Sequence, residues 1–117
     1  MGKLSTHVLD ITQGKPGAGV QLALYAVGDD GRTLLTTDVT NADGRCATPL
    51  LEGEQLKAGK YELVFGAGDY FAAQGVQVPE PRFVDQVTIA FGVADAGQNY
   101  HVPLVVSPWA YSTYRGS

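Results

Sequence analysis

The chain has 117 residues, 44% of them hydrophobic, with a formal net charge of −4 and one cysteine, Cys46. That length suits one domain spanning residues 1–117 with a core of its own. The acidic balance argues against nucleic acid or an anionic membrane as partner, no apolar run reaches spanning length, and an intrachain disulfide is impossible.

Fifteen glycines and six prolines punctuate short alternating runs. No long amphipathic helical stretch appears, so the pattern predicts an all-β sandwich. The first strand is expected over residues 5–11, rich in Thr, Val, Leu and Ile and containing His7. A turn at Gln13-Gly14-Lys15-Pro16-Gly17 follows. Residues 20–27 form the next strand, with Val20, Leu22, Leu24 and Ala26 on one face. Asp29-Asp30-Gly31-Arg32 reads as a hairpin turn. A third strand covers residues 33–40, and Asn41-Ala42-Asp43-Gly44 is a strong turn signal. Arg45 comes directly after it.

Residues 48–57 are irregular, with room for one very short strand. Residues 60–65 alternate cleanly, placing Tyr61, Leu63 and Phe65 on one face. Residues 69–74 are the one candidate helix, with Asp69 as cap and Gly75 as terminator. After Pro79-Glu80-Pro81, residues 85–93 set Val87, Ile89, Phe91 and Val93 on one face. Residues 99–107 place Tyr100, Val102, Leu104 and Val106 toward the core, which turns His101 away from it. Ser107-Pro108 breaks this strand, and residues 110–114 return beside it. The count is seven clear strands and room for an eighth.

Two histidines, His7 and His101, are the natural proton-transfer groups near neutral pH. Taken alone, either is more often a structural or surface residue. No Cys-x-x-Cys, His-x-His or His-Glu-x-x-His spacing is present, so no metal site is expected. Nor is there a glycine-rich phosphate loop or a Gly-x-Ser-x-Gly elbow, and no cofactor is expected. Arg45 suits either an anion or a surface carboxylate. Cys46 has no activating base near it in sequence and reads as a packing residue.

Several motifs together resemble one family. The terminal Tyr114-Arg115-Gly116-Ser117, with Tyr100-His101-Val102-Pro103-Leu104 and Ser107-Pro108 before it, is similar to the signature of the 5-hydroxyisourate hydrolases, transthyretin-like enzymes of purine breakdown. Leu4-Ser5-Thr6-His7-Val8-Leu9-Asp10 with Gly14-Lys15-Pro16 resembles the family's opening motif. Thr40-Asn41-Ala42-Asp43-Gly44-Arg45-Cys46 resembles its central one. Asn99 stands where many members have histidine, and Val84-Asp85 where many have Pro-Glu. Both departures bear on packing or contacts at the substrate's edge.

The resemblance implies a transthyretin-like sandwich of two four-stranded sheets with one short helix. It implies a homotetramer, a dimer of dimers, with sites at the dimer–dimer interface. It implies 5-hydroxyisourate as substrate, a metal-independent ring opening and a cytoplasmic location. The opening residues show no hydrophobic signal region, in keeping with that location. The resemblance also implies His7, Arg45, His101 and Ser117 as catalytic residues, and Tyr114, Arg115 and Gly116 as substrate-binding ones. Two other readings compete: a carrier of small aromatic ligands on the same fold, and an immunoglobulin-like adhesion module. The second would be expected to bring a signal sequence and a cysteine pair.

Overall fold

The computed structural model describes residues 2–116. Two sheets enclose the core. One has the order β4-β3-β6-β7, built from β3 (Gln21–Gly28), β4 (Gly31–Val39), β6 (Gly59–Phe65) and β7 (Val87–Val93), with antiparallel pairing throughout. The other has the order β2-β1-β8-β9, built from β1 (Lys3–Asp10), β2 (Lys15–Pro16), β8 (Tyr100–Val106) and β9 (Tyr111–Thr113). A fifth short strand, β5 (Leu51–Glu52), adds to β1.

The alternation read from the sequence sorts the faces correctly. Leu4, Val8, Val102, Leu104 and Val106 point inward from one sheet, and Leu22, Leu24, Leu63, Phe65, Val87 and Ile89 from the other. Burial of these apolar side chains at ~25 cal/mol per Å² is the main force holding the sheets together. Ser107 is the break between β8 and β9: its Oγ accepts from the backbone N–H groups of Trp109 and Ala110.

Three details differ from the expectation. Lys15 and Pro16, read as part of a turn, pair with Asp10 and Leu9 as β2. The irregular stretch after Thr48 supplies β5 and then a 3-10 turn, Gly53–Gln55. The helix α1 is Ala67–Ala73, two residues earlier than its sequence signal. Its N-cap is Gly66, not Asp69. The Gly68 N–H donates to the Asp85 carbonyl, and Ala67, Gly68, Tyr70 and Phe71 are buried, so tertiary packing starts the helix upstream of the polar residue. Asp69 instead pairs with Arg82, which also holds Glu80 and Asp85.

The pairing of β1 with β8 is parallel and runs seven residues, from Leu4 opposite Tyr100 to Asp10 opposite Val106. It sets Ser5 opposite His101 and His7 opposite Pro103. This register puts both histidines on the same outward face of adjacent strands.

Candidate active site

The other edge of β1 is covered by three segments laid end to end. β5 pairs with Lys3 and Leu4, β2 pairs with Leu9 and Asp10, and Arg45 bridges His7 between them. The Asn41–Arg45 turn is shaped for that middle position. The Asn41 Oδ1 accepts from the N–H groups of Asp43 and Arg45, and the Asn41 N–H donates to the Arg45 carbonyl. Gly44 has φ of +75°, and its carbonyl accepts the Val8 N–H at 2.8 Å. A Cβ on Gly44 would sit 2.5 Å from the Val8 carbonyl oxygen, so only glycine lets the turn approach β1 this closely.

The imidazoles of His7 and His101 lie with ring centroids 6.4 Å apart. Arg45, Ser5, Lys3, Pro49, Asn99 and Tyr100 join His101 around an open pocket of about 320 Å³. Among the described residues no carboxylate pairs with the Arg45 guanidinium. It acts on the histidines instead. The His7 pKa is lowered first by burial and then by the Arg45 charge, against a smaller upward pull from the backbone and charge of Asp43. The His101 pKa is lowered by burial, then by Arg45 and by His7. Both rings are therefore held neutral to lower pH than free histidine.

The backbone at Asp43 favours the protonated His7 ring. His101 is held differently. Its Nδ1 lies 2.8 Å from the Ser5 Oγ, and its carbonyl accepts the Gly116 N–H at 2.8 Å. A Cβ on Gly116 would lie 2.6 Å from the His101 Cδ2, so the glycine backbone is seated directly against the ring.

Of the residues expected in the site, His7, Arg45, His101 and Gly116 thus come together. Arg115 does not join them: its guanidinium stacks 4.1 Å from the Tyr100 ring centroid and bonds the Gln98 side chain and the Asn99 carbonyl. Strand alternation sets Tyr100 on the opposite face of β8 from His101. Tyr114 is 58% exposed and lies beside Thr113 and Arg115, facing the rim between β7 and β9. Ser117 lies outside the described residues. Ser5 was not among the expected site residues. Its place two positions before His7 put it on the correct face, but only the register of β1 against β8 brings it to His101.

Cys46 is half-buried, and its thiol is pushed up to about 12 by burial and by Asp38, which keeps it protonated and inert. Among the described residues no three His, Cys, Asp or Glu side chains cluster as metal ligands would.

The fold defines the class: a transthyretin-like sandwich. Sea bream transthyretin, solved in complex with thyroxine, superposes with a TM-score of 0.86 at 28% identity, covering 97% of this chain and 94% of that one. A solved 5-hydroxyisourate hydrolase from Klebsiella pneumoniae gives 0.82 at 35% identity with both chains fully covered. In sequence, the 5-hydroxyisourate hydrolase of Ralstonia nicotianae is 58% identical over the full length of both chains. The model of the HIUase/Transthyretin family matches residues 4–116, and this chain belongs to that family.

Proposed function

We infer that the chain hydrolyses 5-hydroxyisourate, opening its six-membered ring to 2-oxo-4-hydroxy-4-carboxy-5-ureidoimidazoline in urate breakdown. The observation that carries the reading is the convergence of two neutral-held imidazoles and one guanidinium without a carboxylate partner among the described residues, in a chain this similar to hydrolases. The carrier alternative explains the fold but gives no reason for that combination.

The chemistry needs a base for water, a cation for the developing oxyanion and polar groups to hold the ring. His7 is the base. A neutral imidazole has one bare nitrogen, and the lowered pKa keeps His7 neutral to more acidic pH. It takes a proton from water as the oxygen adds to the ring carbonyl carbon. Negative charge gathers on the carbonyl oxygen, where Arg45 supplies a planar, permanently charged donor. The C–N bond then breaks, the leaving nitrogen takes the proton back from His7, and a carboxylate remains. His101 binds and orients the planar substrate. Ser117, Tyr114, Arg115 and Gly116 complete the site, with Gly116 shaping the His101 ring and Tyr114 and Arg115 acting across a subunit boundary.

The same proposal makes the active form a homotetramer, a dimer of dimers of this one domain, working in the cytoplasm. Among the described residues no helix is long and apolar enough to cross a membrane. The pocket beside His101 is open in the single chain, and a second subunit would close it. Substrate generated in situ from urate by a separate oxidase decays unaided. Adding this chain should speed the ultraviolet decay many-fold, and an unchanged decay at micromolar protein would refute the reading.

A further inference from the structure

We propose that Ser5 is a positioning residue that donates its hydroxyl hydrogen to the His101 Nδ1 and so fixes the ring as the Nε2–H tautomer, aimed into the pocket. The proposal rests on the hydrolase reading for its catalytic meaning, and on geometry for its tautomer.

Three contacts define the ring's setting. Ser5 and His101 face each other across the parallel β1–β8 register, with Oγ 2.8 Å from Nδ1. Gly116 is seated against the Cβ, Cγ and Cδ2 side. The Cε1 and Nε2 edge is the part neither neighbour covers. The direction of the Ser5 bond follows from basicity. A neutral imidazole nitrogen is a far stronger acceptor than a hydroxyl oxygen, so O–H···N is the stable polarity while the ring is neutral. Burial, Arg45 and His7 all keep it neutral. With Nδ1 accepting, the one ring proton resides on Nε2.

The two histidines then present opposite characters to the substrate. His7, as the proposed base, offers a lone pair. His101 is tied to a hydroxyl and so offers an N–H. A water-activating acceptor and a ring-orienting donor are both required, and exchanging either tautomer would leave two like groups facing each other. A neutral donor also suits a pocket that already holds the Arg45 charge.

The test combines nitrogen-15 NMR of the histidine side chains with kinetics on the wild-type chain, Ser5→Ala and Ser5→Thr. His101 in the wild type should show the Nε2–H pattern. Ser5→Ala should relax it to a mixture and lower kcat about tenfold with KM little changed, part of the ~10²–10⁴ that a positioned proton-transfer group supplies. Ser5→Thr, which keeps the hydroxyl and suits a strand, should restore both. An Nδ1–H pattern in the wild type overturns the proposal. So does Ser5→Ala with an unshifted tautomer, whatever its kcat. A wild-type chain without hydrolase activity would instead defeat the functional reading, while the NMR would still decide the tautomer.

Discussion

Arg45 has two effects at the residue scale. It supplies positive charge to the pocket, and it pushes down the pKa of both imidazoles. Losing a transition-state contact of this kind costs ~10²–10³ in turnover, so Arg45→Ala and His101→Asn should each lower kcat by that factor with an unchanged circular dichroism spectrum. The pH dependence has a definite sign. A histidine with a lowered folded pKa stays neutral, and able to act as a base, to more acidic pH. The acidic limb of kcat/KM should therefore lie below the ordinary histidine value of about 6.5. The same shift links to stability. The contribution of these two rings is fully present above the unfolded pKa and is lost as pH falls through the folded one. A limb at or above the ordinary value would mean that neither ring is the base. At this scale the sequence was informative about residue type: His7, Arg45 and His101 were legible as candidates from their chemistry and motifs, and the fold brings them near one another. Ser5 was not, because a serine two places from a histidine acquires meaning only through a strand 96 residues away.

At the element scale, the edge of β1 depends on a turn that only glycine allows. Gly44→Ala adds a Cβ at a φ of +75°, which costs about 1–2 kcal/mol, and drives it into the Val8 carbonyl. It should lower Tm by several degrees and reduce kcat as well, since the turn that carries Arg45 must retreat; full activity would show that this close approach is dispensable. The far end of β1 is tied down by a different device. Asp10 is 1% exposed, yet its carboxylate accepts from the Thr12 and Gln13 backbone, the Gln13 side chain and the Tyr70 hydroxyl of α1. Asp10→Ala should cost about 3 kcal/mol in urea unfolding, because it strands several donors, and Tyr70→Phe about 1–2 kcal/mol. Equal effects from the two would contradict this network. The strands were readable from alternation, but α1 and β2 were misplaced by their local signals. Asp69 looked like a cap until Arg82 claimed it, and Lys15-Pro16 looked like a turn until β1 offered an edge.

At the scale of the whole molecule, the proposed tetramer would complete the site. The His101 pocket is open, and exposed aromatic side chains lie on or beside β9: Tyr111 within it, Trp109 and Tyr114 next to it. Light scattering at micromolar concentration should give about four times the 12.4 kDa chain mass, and dilution that dissociates the assembly should lower specific activity. A fully active monomer would place the whole reaction within one subunit and remove any role for Tyr114 in a neighbour's site.

The sequence by itself determined the all-β class and the inward and outward faces of most strands, and it supplied the candidate side chains for the site. It could do so because strand alternation and side-chain chemistry are local properties. Only the tertiary structure decided that β1 and β8 run parallel, that the Gly44 turn presses Arg45 against His7, that Gly116 and Ser5 hold His101 from two sides, and that Arg115 turns toward Tyr100 instead. These are matters of register and long-range packing, where shifting a strand by one residue would send every side chain to the opposite face.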